Sequence, residues 1–371
     1  MEANFDELNP FPFYKYMRKY KPVFKDENGI YQVFKYDDVR YVLWDWSKFS
    51  SEFDMGEENI LKGTIINLDP PAHDKLRSLV SDPFSPGNIE ALAPKIREIV
   101  ESIIVKVKDR GEMDIIRDLA IPLPVMVIAE ILGLPREDLW KFKEWTDDLV
   151  GVGKGGWDVI EELINYLERI VEERKVKPAK DLISTLLASS IDGEKMSDRQ
   201  ILGFTVLLLI AGNETTTNLI GNAVLTMLEK KEIFKKLKDS PDLMVSAIEE
   251  FLRFRSPVQG MFRVAKEDVR ISGVEVKKGD TLIAWIGSAN RDESKFPNPD
   301  EFIPDRRPNP HLAFGTGIHT CLGAPLARLE GRIAISSLIK NFPNMKLEDR
   351  KLEPIGNGIF YGVKQLIVKI K

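Results

Sequence analysis

The single cysteine of the 371-residue chain, Cys321, lies in the run Phe314, Gly315, Thr316, Gly317, Ile318, His319, Thr320, Cys321, Leu322, Gly323, and Ala324 and Pro325 then open a helix. Glycines at 315, 317 and 323 allow a tight loop whose backbone N–H groups turn toward the sulfur. A cysteine just ahead of a helix N-terminus has its thiolate favoured by the helix dipole, and Pro325 suits the first turn. The expectation is an ionised sulfur ready to bind a metal, with the ring of Phe314 limiting water around it. Three other readings stand beside this one. They are a small buried hydrophobe, a zinc site drawing on His311 and His319 with Cys321, and a nucleophile using His319 as base.

A second chemical signal breaks an apolar run. Ser197 followed by Gln200 is a capping box, and helix is expected from there to Leu228, roughly 45 Å at 1.5 Å per residue. Between Ile201 and Leu228 the one charge is Glu214, which sits among Asn213, Thr215, Thr216, Thr217 and Asn218. Polar residues halfway along argue against a membrane span. Helical spacing places Leu207, Ala211 and Thr215 on one stripe with Leu208 close by, and turns Glu214 about 100° away from Thr215. Threonines of such a helix can bond back to carbonyls one turn earlier. Alternatively, Thr215 can hydrogen-bond a reactive group against the stripe while Glu214 relays protons from solvent. Gly212 lets the backbone approach another body.

Two pairs complete the candidates. His73 and Arg77 lie i, i+4 on one helix face after Asp69, Pro70 and Pro71, a capped start, and can reach the same anion. Glu250 and Arg253, i, i+3, taken alone read as an exposed ion pair of small energetic worth.

The elements that must position these residues follow from pattern. Strands are expected at Val23 to Lys25 and Tyr31 to Phe34, around a turn at Asn28 and Gly29, with helix from Asp37. Helical periodicity is plain in Ile89 to Val107, Val125 to Leu132, Val159 to Glu173 and Leu243 to Phe254. Strands return at Val269 to Val276 and Asp280 to Ile286. A Pro-rich irregular stretch, Phe296 to Pro310, precedes the cysteine loop, a short helix from Pro325 and strand-like segments to Lys371. Helices and strands do not alternate as βαβ units, so the fold class is mainly α with a small segregated β region, α+β. The chain reads as one domain, residues 1–371. Its β-rich part is about 20–36 and 256–295 plus the C-terminal strands, and its helical part about 37–255 and 324–340. The loop Ser51 to Leu68 could wall a pocket, and Val150 to Trp157, with four glycines, suits a lid tip.

Composition bounds the function classes. The chain is 43% hydrophobic and 30% charged with a formal net charge of −5. That describes a folded globular protein without the clustered cations that nucleic acid or anionic membranes require. One cysteine allows no internal disulfide, and the first residues lack the pattern of a signal peptide, so a cytoplasmic location is expected. High Lys plus Glu with few thermolabile residues leans towards a thermophilic source.

Taken together, the motifs resemble those of the cytochrome P-450 family over essentially the whole chain. The signature F-x-x-G-x-H-x-C-x-G is matched from Phe314 to Gly323, A-G-x-E-T-T from Ala211 to Thr216, and E-x-x-R by Glu250 and Arg253. The resemblance implies a P-450 fold with haem b (iron protoporphyrin IX) between the long helix and the cysteine loop, Cys321 holding the iron. Ala211, Phe314 and Gly317 would line the haem, and His73, Arg77, Arg263 and His319 would meet its propionates. Arg306 would join Glu250 and Arg253 in a buried network bracing the loop. It further implies a monomeric monooxygenase in which Thr215 steadies oxygen and Glu214 brings protons, using dioxygen, an apolar small-molecule substrate and a ferredoxin-like electron donor. Arg307, Arg328 and Arg332 would receive that donor. The pocket wall would draw on the Ser51 to Leu68 loop, Leu207, Leu208, Ala211, Val258, Met261 and Phe360. A haem-thiolate peroxygenase and a haem-based sensor are the alternatives within this resemblance.

Overall fold

A computed structural model describes residues 5–54, 56, 59–138, 141, 142, 145, 157–191, 193–356 and 358–371. Helices dominate, and strands are confined to small separate sheets. Of the expected lid tip, residues 150–156 lie outside the described residues, and a helix, Trp157–Val176, starts at its end.

The organising element is the helix Asp198–Glu229. Its capping box forms as the sequence specifies: Ser197 Oγ accepts from Gln200 N at 3.3 Å, and Gln200 Oε1 accepts from Ser197 N at 2.8 Å. A helix apolar on every face must be enclosed. Here the helices Pro122–Ile131, Trp157–Val176, Met244–Phe254 and Ala324–Asn341 and a π-helical turn, Ile115–Ala120, all pack around it. Two glycines mark the closest approaches. A Cβ on Gly203 would fall 2.5 Å from the carbonyl oxygen of Ile60, and one on Gly221 would fall 2.6 Å from Ile116 Cδ1. The first contact seats the Ser51 to Leu68 loop on the N-terminal half of the long helix. Among the described residues no helix is long and apolar enough to cross a membrane.

The largest sheet has five strands in the order Val23–Lys25, Tyr31–Val33, Thr281–Ala284, Met261–Ala265, Phe49–Ser50. Only the pairing of Tyr31–Val33 with Thr281–Ala284 is parallel. Leu282 stands opposite Arg263, so this arginine is held in an interior strand. Val269–Ile271 and Val274–Val276 form a separate hairpin. Its Ser272 and Gly273 both have positive φ, 44° and 85°, which suits a tight hairpin turn.

Several elements differ from expectation. A helix at Phe11–Tyr20 replaces an unassigned start, its Tyr14, Met17 and Arg18 buried. Aromatic residues hide its period, and its face exists only because Phe34 and Trp285 lie beneath it. The helix after the cysteine loop is not short but spans Ala324–Asn341, close to the helical part expected at about 324–340, since its apolar positions meet both the long helix and Ala93–Val107. Periodicity over Ile89 to Val107 is interrupted, giving Pro86–Glu90 and Ala93–Val107. The C-terminal strands shrink to Lys346–Leu347 and Ile367–Lys369.

Candidate active site

The cysteine loop closes on itself. Cys321 N donates to Phe314 O at 2.8 Å, and Thr320 N to Gly317 O at 3.1 Å. Gly315 and Gly317 have φ of 69° and 76°, and a Cβ on Gly317 would press to 3.0 Å on the Cα and carbonyl oxygen of Trp44. Gly317 is therefore required twice, by conformation and by space. Gly323 is not: its φ is −81° and it serves as N-cap of Ala324–Asn341. Burial pushes the Cys321 thiol up, and the N–H groups of Gly323 and Ala324 with the charges of Arg77 and Arg328 oppose this only in part. Cys321 is reachable from solvent, yet dehydration at the sulfur outweighs helix-end stabilisation. A coordinated metal would ionise it outright.

Four of the anticipated anion-binding residues gather beside this loop. His73, on the helix Ala72–Ser81 and buried, meets the ring of His319 edge-on at 4.6 Å. One turn on, Arg77 Nη2 donates to Thr320 O at 2.7 Å, adjoining Cys321. Arg263, also buried, donates to the neighbouring Phe262 O at 2.7 Å, and burial pushes its guanidinium down to about 10. Burial, then the charges of Arg263 and His73, push His319 down to about 3. Nδ1 of His73 lies 2.9 Å from Asp74 Oδ1, while Nε2 of His73 and Nε2 of His319 are buried without a hydrogen-bond partner among the described residues.

Asp69 departs from expectation. Its side chain does not cap the helix, whose N-cap is Pro71. Instead Oδ1 accepts from Ser51 N at 3.2 Å and Oδ2 from Lys266 at 3.0 Å, tying the base of the Ser51 to Leu68 loop to the sheet. Only the main-chain carbonyl of Asp69 serves the helix, accepting from His73 N.

On the long helix, Leu207 is buried in the core while Leu208, Gly212 and Thr215 are partly accessible and Ala211 is exposed. The accessible stripe is therefore 208, 211, 212, 215 and excludes Leu207. Thr215 Oγ1 donates to Ala211 O at 2.8 Å, the back-bonded arrangement foreseen for these threonines. Glu214, on the adjoining face, is partly exposed. Elsewhere in the anticipated wall, Val258 pairs with Phe360 in an isolated antiparallel bridge, and Phe53 meets Phe262 edge-on at 6.4 Å, which joins the Ser51 to Leu68 loop to the strand carrying Met261.

The pair Glu250 and Arg253 is fully buried and not a surface bridge. Arg253 donates twice to Glu250 at 2.8 Å, and Arg306 Nε reaches both carboxylate oxygens at 3.1 Å. Arg253 also holds Asn290 O at 2.9 Å, and the Asn290 side chain accepts from Leu312 N at 2.7 Å, two residues before Phe314. Asn290 carries no sequence signal and was not anticipated. His311 turns away from the sulfur: its Nε2 is 3.1 Å from Glu249 and its Nδ1 accepts from Ala313 N at 3.3 Å. With both nitrogens engaged, His311 has none left for zinc. Arg328 and Arg332 are paired within the chain, to Glu249 and Glu90.

Comparison with known proteins decides the family. The sequence profile described as Cytochrome P450 matches residues 125–245 and 240–370. The chain belongs to the cytochrome P450 family. It is 43% identical to Cytochrome P450 109 of Bacillus spizizenii, over 98% of this chain and 93% of that one. It is 42% identical to Cytochrome P450 119 of Sulfolobus acidocaldarius, over 97% and 99%. The structure of substrate-free CYP109E1 from Bacillus megaterium superposes with a TM-score of 0.95, at 41% identity, covering 99% of this chain and 100% of that one. CYP109E1 in complex with testosterone gives 0.91 at 42% identity, covering 98% of each. This P450 is accordingly an oxidoreductase of the monooxygenase class whose cofactor is haem b. The site suits that group. A sulfur, two partnerless buried imidazole nitrogens and two dehydrated guanidinium groups form a donor set for one metal and two carboxylates.

Proposed function

We propose that this P450 inserts one oxygen atom from dioxygen into an apolar small molecule of about steroid size, with electrons from a ferredoxin-like donor. The observation that carries the reading is the meeting of His73, His319, Arg77 and Arg263 at the rim of the Cys321 loop. Haem b supplies redox-active iron for the reductive activation of dioxygen.

The rest is work for the chain's own residues. Cys321 would hold the iron through its sulfur and donate electron density to it. Arg77, Arg263, His73 and His319 would hold the propionates, and Nε2 of each histidine has no hydrogen-bond partner among the described residues. Ala211, Phe314 and Gly317 would flank the ring. Thr215, its proton given to Ala211 O, keeps oxygen lone pairs free to accept a hydrogen bond. Glu214, partly exposed beside it, would move protons inward from solvent. Val258, Met261, Phe360 and Phe53 supply apolar wall, and steroids are what the CYP109E1 complexes hold. A reducing cytoplasm suits the lone thiol, and the charge-rich composition fits a thermophilic source.

Reduced protein under carbon monoxide should show the red-shifted Soret band of thiolate-ligated haem, and Cys321→Ser should lose it. A Cys321→Ser protein that keeps the band would overturn the assignment. Thr215→Ala is expected to leave haem uptake intact while product formed per electron pair consumed falls several-fold. Coupling equal to wild type would remove Thr215 from the mechanism.

A further inference from the structure

Glu249 and Glu250 are consecutive on the helix Met244–Phe254 and so diverge by about 100°. Glu250 turns inward to its arginines. Glu249 takes a different set: Arg328 Nε to Oε1 at 2.8 Å, Arg328 Nη2 to Oε2 at 2.8 Å, and His311 Nε2 to Oε2 at 3.1 Å. The tautomer of His311 follows from geometry. Its Nδ1 accepts from Ala313 N, so Nε2 carries the proton and donates to Glu249. Although burial works to raise it, the bonds from Arg328 and His311 hold the Glu249 carboxyl at about 2, so it stays charged throughout the working range.

The paired fork fixes the plane of the Arg328 guanidinium, whose carbon lies 4.4 Å from the centre of the Phe314 ring. Phe314 in turn takes the Cys321 amide on its carbonyl, and the charge of Arg328 acts on the sulfur. Left to itself, a half-exposed arginine would sample many rotamers and be screened by water. Glu249 and His311, whose ring centre lies 6.1 Å from that of Phe314, determine where Arg328 stands.

We propose that Glu249, supported by His311, is a positioning residue that clamps Arg328 over Phe314 and thereby sets the reduction potential of the group bound by Cys321. A cation held near the thiolate favours the added electron, so the clamp makes the centre easier to reduce. The inference rests on Cys321 being the iron ligand. It assigns an electronic role to residues otherwise readable as a surface ion pair.

The test is a spectroelectrochemical titration of the holoenzyme, with the ferrous carbon monoxide spectrum recorded on the same samples. Arg328→Leu and Glu249→Ala should each make the haem harder to reduce, by about tenfold in the equilibrium constant, or about 59 mV for one electron. The double variant should shift no further than Arg328→Leu alone. His311→Leu should move the same way and His311→Gln, which retains an N–H for Glu249, should restore the wild-type value. Deleting a carboxylate that acted directly would make reduction easier, so that direction for Glu249→Ala, or additive shifts in the double variant, overturns the clamp. Should Glu249→Ala not take up haem, Arg328→Lys decides: it keeps the charge but not the fork or the stacking, and an unchanged potential overturns the proposal. A wild-type spectrum without the thiolate band overturns the ligand reading and the clamp together, whereas a normal spectrum with additive shifts overturns the clamp alone.

Discussion

At the scale of single residues, burial decides more than residue type. Glu330, on the helix after Cys321, is buried with Oε2 lacking a hydrogen-bond partner among the described residues. Burial raises its carboxyl from an ordinary 4.5 to about 8. Below about pH 4.5 both folded and unfolded chains carry the proton and nothing is lost. As pH rises towards 8 the unfolded chain alone gives it up, so stability falls across that window. Glu330→Gln keeps the shape and removes the titration. It should raise stability at pH 7 to 8 by on the order of 1–3 kcal/mol and change nothing at pH 4, which melting temperatures across pH would show. The same rule explains Cys321, whose thiol is pushed up despite its place before a helix, and His319, which is pushed down.

At the scale of elements, the irregular stretch from Phe296 to Pro310 has no ladder of its own and is held by side chains reaching from a helix. Glu250 receives Arg253, Arg306, Ile303 N and Asn309, while Arg253 holds the carbonyls of Asn290, Pro299 and Glu301. Such a network gives little net stability compared with apolar packing, but removing one member strands a buried charge. Arg253→Ala and Glu250→Ala should each cost about 3–5 kcal/mol and abolish haem incorporation, because the loop bearing Cys321 hangs from this stretch through Asn290 and Leu312. Denaturant unfolding and haem occupancy measure both effects, and full occupancy in either variant would show that the loop stands without the brace.

For the whole molecule, one apolar helix serves as axle for the helical part, and a second apolar cluster lies beneath the five-stranded sheet. Charged residues are plentiful, 53 Lys and Arg against 58 Asp and Glu, and several are joined in pairs that bridge distant segments, such as Arg18 to Glu293 and Arg332 to Glu90. Ion-pair networks gain in worth as the hydration of charge weakens with heat. An apparent melting temperature of the holoenzyme above the range of about 45–65 °C common to mesophile domains is expected. A value inside that range would remove the thermophilic reading.

Local chemistry and periodicity were enough for much of this protein. Ser197 and Gln200 define a helix start because a capping box involves only neighbouring residues, and Gly315 and Gly317 announce a backbone that other residues rarely adopt. The cysteine motif likewise carries its own loop. What remained hidden depends on partners far apart in the chain. Nothing near Asp69 says that its carboxylate belongs to Lys266, nothing near Glu249 points to Arg328, and nothing in Asn290 foretells Leu312. Leu207 and Leu208 are both apolar, and only the surrounding helices make the second the accessible one. Sequence determines which conformations and chemistries a segment can support; tertiary packing sets dehydration and long-range pairing, and those choose the partner and the protonation state.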